Sequence, residues 1–301
     1  MLISCKKGDN TRFISSINVV KEEINIAYGN HARQKMDVYF PLGYNNSTPV
    51  VFLMHGGGYY EGTKEQFTDK AKMFCTEGFV VINFNYRLID TTGLFYALPL
   101  HQLSAVKIAD VLQDVDAAVN KYKSMASGWG VGSAKMYMAG HSAGAITSLL
   151  YLVNSLNDDG DIKAGGNWGG TTDFSQACDT SVFIGPYAPY ALFYKELVYR
   201  WTGFEPVPAN TLAYMAHSAY WITKTRGGKP TISIMPEVND FFLRTSPLST
   251  ITNTINYHTL LNSFSIPNQY IEIKGENHGF EVLTDSWKNT VHKTSEFFKA
   301  H

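Results

Sequence analysis

Three short motifs carry the residue types of nucleophilic catalysis. GHSAGA, Gly140 to Ala145, places a serine between two glycines, HGGG begins at His55, and GENHGF contains His278. A serine hydroxyl becomes a nucleophile when a histidine takes its proton, and bare glycine backbone can offer N–H groups to the oxyanion that forms. Gly-x-Ser-x-Gly alone is a weak signal in a chain with 25 glycines. The secondary-structure elements that surround each motif must therefore show whether Ser142 is a nucleophile or only a small residue at a tight turn.

Strands and helices alternate along the chain, and each motif follows a predicted strand. EINIAYG and QKMDVYFP alternate apolar and polar residues, which predicts an antiparallel pair at one sheet edge. Later predicted strands are VVFLM, FVVINFNY, AKMYMAG, IKAGGNWGG, TISIM and QYIEIKG. The predicted helices between and after them are KEQFTDKAKMFCTEG, VKIADVLQDVDAAVNKY, AGAITSLLYLVNSL, TITNTINYHTLLNSF and TDSWKNTVHKTSEFFKAH. This alternation predicts an α/β fold with a mostly parallel central sheet flanked by helices.

Ser142 lies at a predicted strand-to-helix junction, where a sharp turn would lift its hydroxyl above the carboxyl ends of the strands. Gly140 and Gly144 suit that turn, since a side chain at either position would collide where helix and strand approach closely. Ala143 opens the helix, so its N–H points toward charge developing on a substrate. His278 follows the last predicted strand, within reach of Ser142. This context predicts that Ser142 is a nucleophile.

These motifs, together with NYRL, resemble the α/β-hydrolases, and among them esterases of the hormone-sensitive-lipase type and acetyl-xylan and feruloyl-type carboxylesterases. The resemblance covers nearly the whole chain and implies the α/β-hydrolase fold. It also implies Ser142 as nucleophile and His278 as general base. Gly57, Gly58 and Ala143 would supply the N–H groups of the oxyanion hole, although a flexible turn is the alternative interpretation of the three glycines.

Other residues of the matching motifs are given supporting roles by the resemblance. His55 would brace the glycine loop, and Tyr86 and Arg87 would be architectural. A histidine directly before the serine, here His141, makes this motif similar to those of the acetyl-xylan, feruloyl-type and formamidase-like branches.

The acid of a catalytic triad is the least determined part of the site. The family places a carboxylate after the seventh strand, where this chain reads SIMPEVNDFF. A gapless alignment from Pro230 puts Asn239 at the acid position, but an asparagine cannot stabilise the imidazolium that forms. We therefore predict Asp240. Glu237 and, more remotely, Asp173 are the alternatives.

A long aromatic segment separates the sixth and seventh predicted strands and predicts a cap insertion at about 187–228. Its candidate pocket residues are Tyr190, Phe193, Tyr194, Tyr199 and Trp201. The predicted substrate contacts are Tyr59, Tyr60, Trp168 and Tyr190. An aromatic stripe that packs the cap onto the body is the alternative.

The predicted activity is serine-dependent hydrolysis of short-chain or aromatic acyl esters, including carbohydrate-linked ones, through an acyl-enzyme. The alternatives are an amidase or formamidase of the same fold and a non-catalytic ligand-binding member. No metal or organic cofactor is expected, because serine-dependent hydrolysis requires none. Cys5, Cys75 and Cys178 are odd in number and far apart, so they indicate neither a metal cluster nor a disulfide framework. A small-molecule or carbohydrate ester is the expected partner.

Composition limits the other possibilities. Hydrophobic residues at 45% and charged residues at 17% are typical of a globular protein. A net charge of -1 argues against nucleic acid as a partner, and no apolar run is long enough to span a membrane.

The chain is expected to form one catalytic domain, residues 19–301, after an N-terminal tether, residues 1–18. LISC, Leu2 to Cys5, resembles a bacterial lipobox. If the native gene encodes an upstream signal, a lipid on Cys5 would anchor the enzyme in the periplasm or cell envelope. Without that signal the expectation is a cytoplasmic protein.

Overall fold

An eight-stranded sheet lies at the centre of the computed structural model, which describes residues 19–179, 191–237 and 253–301. The strands are β1 Val19–Ala27, β2 Lys35–Pro41, β3 Val50–Met54, β4 Val80–Phe84, β5 Met136–His141, β6 Ile162–Trp168, β7 Thr231–Pro236 and β8 Asn268–Ile273. Their order is β1-β2-β4-β3-β5-β6-β7-β8. β2 pairs antiparallel with β1 and β4, and the other pairs are parallel. The predicted sheet and its antiparallel edge are confirmed.

Helices cover both faces of this sheet. They are α1 Thr68–Thr76, α2 Ile108–Trp129, α3 Ala143–Val153, α4 Ala191–Thr202, α5 Thr211–Met215, α6 Ala219–Arg226, α7 Asn253–Ser263 and α8 Ser286–Ala300. α4, α5 and α6 lie between β6 and β7, where the cap is predicted. α2 extends beyond its predicted end at Tyr122 to Trp129, and Gly130 ends it in a left-handed conformation, φ 73°.

The two faces of the sheet contribute to separate apolar layers. In β3, Val50, Phe52 and Met54 pack with α2 and α3, whereas Val51 and Leu53 pack with α1 and α8. This alternation follows from the period of two along a strand. All five residues are buried, so both layers stabilise the strand that leads into HGGG.

Several predicted features lie outside the described residues. They are the tether with Cys5, Tyr190 and Asp240. The tether, the lipid anchor and the acid therefore remain predictions. No helix in residues 19–179, 191–237 or 253–301 combines the length and the apolar character needed to cross a lipid bilayer.

A buried polar group connects β7, α7 and β8. The His258 imidazole has Nδ1 2.8 Å from Oδ1 of Asn268 and Nε2 2.8 Å from Oγ of Ser233. Because an amide oxygen only accepts, Nδ1 donates to Asn268 and Nε2 accepts from the serine hydroxyl. Burial lowers the pKa of His258 to about 4, so the ring is neutral in the folded protein at neutral pH.

Acidification is expected to destabilise the fold through His258 and through His55, whose pKa burial also lowers to about 4. Each folded pKa lies below the unfolded value of about 6.5, so the stabilisation is complete above that pH and is lost as pH falls toward about 4. Each pKa unit is equivalent to about 1.4 kcal/mol of unfolding free energy.

Chemical denaturation between pH 7.5 and 4.5 measures this dependence. His258→Gln should flatten it, and His301→Gln, at an exposed histidine, should leave it unchanged. An identical pH dependence in wild type and His258→Gln would contradict the prediction.

Candidate active site

Ser142 occupies a strained turn between β5 and α3. Its φ is 53°, in the left-handed region that non-glycine residues rarely adopt. A Cβ on Gly140 would come within 2.4 Å of the Gly144 carbonyl carbon, and one on Gly144 within 2.5 Å of the His55 carbonyl oxygen. The two glycines are therefore required by the close approach of backbone to backbone, as the sequence predicted.

His278, on the loop after β8, meets this serine. Its Nε2 lies 2.9 Å from Oγ of Ser142, although the two residues are 136 positions apart. Both residues are half-buried. The arrangement gives a serine hydroxyl a direct hydrogen-bond partner that can take its proton.

His141 supports the loop that carries His278. Its Nε2 lies 2.6 Å from the carbonyl oxygen of His278, so it must be the donor. The His141 ring also packs edge-on against Trp287 and Phe280, at 5.5 Å and 5.8 Å between centroids. Sequence reasoning did not predict that His141 holds the His278 loop. The signal that could have indicated it was the position of His141 directly before the serine.

The HGGG loop approaches the same turn with unusual backbone geometry. Gly57 and Gly58 have φ of 105° and 56°, and a Cβ on Gly57 would lie 2.2 Å from the carbonyl oxygen of Glu61. Among the described residues we find no protein acceptor for the backbone N–H groups of Gly57, Gly58 and Ala143. These are the three N–H groups that the family resemblance assigns to an oxyanion hole.

Buried aromatic and polar contacts stabilise the HGGG loop and the segment that packs against it. His55 is stacked on Tyr86 with 4.3 Å between ring centroids, and the Tyr86 hydroxyl donates to the His55 carbonyl oxygen at 2.8 Å. Arg87 pairs with buried Asp114 at 2.8 Å. The predicted bracing and architectural roles match these positions.

The described acid candidates are engaged in local contacts. A Glu237 carboxylate oxygen accepts the Gly275 N–H at 3.0 Å. Oδ1 of Asp173 accepts from the Ser175 N–H at 2.9 Å and from Nε1 of Trp221 at 3.1 Å. Asp240 lies outside the described residues, so it stays a prediction.

Two predicted substrate contacts are wrong for this structure. Tyr59 and Trp168 are both 0% exposed. The Tyr59 hydroxyl lies 3.0 Å from Oγ1 of Thr147, and Trp168 Nε1 donates to Oγ1 of Thr294. Both side chains lie in the core, and these hydrogen bonds offset the cost of burying their polar atoms.

Tyr60 is placed differently. It is half-buried beside the glycine loop and makes edge contacts with Phe95 and Phe193, at 5.5 Å and 6.2 Å between centroids. Phe95 is 61% exposed, so this aromatic group is open to solvent. The side chain of Tyr60 remains a candidate substrate contact.

The sheet order, the turn at Ser142 and the histidine loop after β8 define an α/β-hydrolase fold. Similar solved structures include a truncated carbohydrate esterase from gut microbiota, at TM-score 0.68 and 14% identity, covering 95% of this chain and 99% of that one. An esterase of Pyrobaculum calidifontis has TM-score 0.68 and 18% identity, covering 94% of this chain and 85% of that one.

The chain belongs to the BD-FAE family, whose model matches residues 36–193, just over half of the protein. It is also similar to a kynurenine formamidase of Salmo salar, with 25% identity over 129 residues, 43% of this chain and 38% of that protein. The chain thus spans less than half the length of this curated relative.

Proposed function

We propose that this protein is a serine carboxylic ester hydrolase that works through an acyl-enzyme. The observation that carries the proposal is the 2.9 Å contact between Oγ of Ser142 and Nε2 of His278 at a strained strand-to-helix turn. Membership of the BD-FAE family supports it.

The proposed reaction has two halves that use the same groups. His278 takes the proton as Oγ of Ser142 bonds to the ester carbonyl carbon, and the N–H groups of Gly57, Gly58 and Ala143 hold the oxyanion. The C–O bond to the alcohol then breaks, and His278 returns the proton to the leaving oxygen. Water repeats the sequence on the acyl-enzyme and releases the acid. These steps require no cofactor.

Short-chain and aromatic acyl esters, including carbohydrate-linked ones, are the proposed substrates. The open aromatic group of Tyr60, Phe95 and Phe193 beside the glycine loop favours ring-bearing or apolar groups. The similarity to a carbohydrate esterase is consistent with a sugar on the alcohol side.

An amidase or formamidase is the second candidate, favoured by the similarity to a kynurenine formamidase. The two are separated by initial rates on acetyl, butyryl and feruloyl esters and on N-formyl amides, each with wild type and Ser142→Ala. Faster turnover of N-formyl amides than of matched p-nitrophenyl esters would favour the formamidase. A folded wild type that turns over neither class would indicate a non-catalytic binding member.

His141→Leu is expected to lower kcat/KM for the preferred substrate by about 10- to 100-fold, the size of loss that small displacements of reacting groups cause. Leucine keeps an apolar body but cannot donate to the carbonyl of His278. His141→Gln retains an N–H donor and should keep more activity. Equal kcat/KM for His141→Leu and wild type would contradict the prediction.

A further inference from the structure

Three successive residues after Gly56 adopt left-handed backbone conformations. Gly57, Gly58 and Tyr59 have φ of 105°, 56° and 65°. Glycine takes such angles at little cost, but a tyrosine there costs on the order of 1–3 kcal/mol and persists only when its surroundings hold it. The contacts of Tyr59 therefore show what maintains the shape of this loop.

The first support is a hydrogen bond to the helix that begins directly after the serine. The Tyr59 hydroxyl lies 3.0 Å from Oγ1 of Thr147, and that Oγ1 donates to the Ala143 carbonyl oxygen at 2.9 Å. Since the single Thr147 hydroxyl proton is used in this way, Tyr59 is the donor to Thr147. The phenol thus connects the glycine loop to the first turn of α3, and these two elements supply the two halves of the proposed oxyanion hole.

The second support comes from helix α4. Nε1 of Trp201 donates to the Gly58 carbonyl oxygen at 2.9 Å, across 143 positions of sequence. The Trp201 ring also packs edge-on against the Tyr59 ring, at 5.3 Å between centroids. On the other side of Tyr59, its carbonyl oxygen accepts the Ile89 N–H at 2.9 Å. Both peptide planes that flank Tyr59 are therefore held.

Helix α4 is itself fixed in place by a buried charge. Arg200 is 0% exposed and pairs with Glu196 at 2.6 Å. Its guanidinium also donates to the carbonyl oxygens of Asp90 and Thr92, at 2.8 Å and 3.0 Å. The helix that carries Trp201 is thus joined to the loop that follows Ile89, and the two make one support for the glycine loop.

We propose that Tyr59 and Trp201 are positioning residues that set the two halves of the oxyanion hole relative to each other and to helix α4. The inference rests on the proposed function. It has a functional consequence: a displacement of α4 would also move the Gly57 and Gly58 N–H groups, because Trp201 of α4 is hydrogen-bonded to the Gly58 carbonyl oxygen. Substrates that shift α4 would therefore change kcat and not only KM.

The test compares Tyr59→Phe and Trp201→Phe with the matched control Tyr122→Phe. Each of the first two keeps a ring and removes one donor. Tyr122 is also a buried tyrosine, and its hydroxyl donates to the Gly132 carbonyl oxygen at 2.6 Å, at the far end of α2. The measurements are Tm, kcat and KM on the best ester, and Ki for a trifluoromethyl ketone that adds reversibly to the serine and places an oxyanion in the hole.

We expect Tyr59→Phe and Trp201→Phe to lower kcat by about tenfold, less than the 10²- to 10³-fold loss typical of removing an oxyanion donor outright. KM should change less than twofold, and Ki for the ketone should weaken in proportion to kcat. The double variant Tyr59→Phe/Trp201→Phe should lose less than the product of the single losses, because both contacts hold the same loop. Tyr122→Phe should lower Tm without changing kcat or Ki.

If Tyr59→Phe and Trp201→Phe both lowered Tm but left kcat and Ki unchanged, as expected for Tyr122→Phe, the two residues would have a merely structural role. That result would overturn this inference and leave the proposed function standing. Wild type that hydrolyses none of the esters or N-formyl amides would overturn the proposed function and, with it, the inference.

Discussion

Ser142→Ala is expected to abolish ester hydrolysis, with a loss of about 10⁶-fold in kcat, the size seen when the nucleophile of such a constellation is removed. The change deletes only Oγ, the atom 2.9 Å from Nε2 of His278. The backbone and the packing around it are kept, so the fold should remain. His278→Ala removes the base and should lose about as much, because the two groups act as a unit.

Initial rates with a p-nitrophenyl ester, together with circular dichroism and Tm, measure this effect. Ser148→Ala is a matched control, since Ser148 is a buried serine of α3, the helix that begins directly after Ser142, and its hydroxyl donates to the Met138 carbonyl oxygen at 3.1 Å. It should keep near wild-type kcat. Retention of more than a few per cent of turnover by Ser142→Ala or His278→Ala would refute the proposed mechanism.

Asp240→Asn is expected to have the second largest effect, a loss of up to about 10⁴-fold in kcat. An asparagine can keep the hydrogen bond to the imidazole but cannot stabilise the imidazolium that forms when His278 takes the serine proton. Fluorescence and Tm should stay close to wild type, because the change is nearly isosteric.

Glu237→Gln and Asp173→Asn are the matched comparisons for that variant. The Glu237 carboxylate accepts the Gly275 N–H, and Asp173 accepts from Ser175 and Trp221, so both changes should act mainly on local stability. If Glu237→Gln lost most of its kcat while Asp240→Asn kept a near wild-type kcat, Glu237 and not Asp240 would be the acid of the triad.

The order of the sheet elements could be predicted from the sequence because local periodicity records it. Alternating residues indicate the antiparallel edge, and continuous apolar runs such as Val50–Met54 indicate strands buried on both faces. The glycines at 140 and 144 were equally informative, since the turn between β5 and α3 has no room for a Cβ.

Side-chain direction was harder to predict where the pattern does not alternate. In β6 almost every residue is buried, so periodicity does not say toward which layer Trp168 points. The structure places it beside α8, where Thr294 accepts its N–H. Tyr59 follows three glycines and was predicted to contact the substrate, but its backbone has a φ of 65° and its ring lies in the core.

The sequence alone determined the fold class, the elements on which Ser142 and His278 lie, and the positions where only glycine fits, because these depend on local pattern and on the size of a side chain. Only the tertiary structure decided that Nε2 of His278 meets Oγ of Ser142, that His141 holds the His278 loop, and that Trp201 reaches Gly58. These contacts join residues at distant positions, or depend on rotamers, and packing of the whole chain selects them.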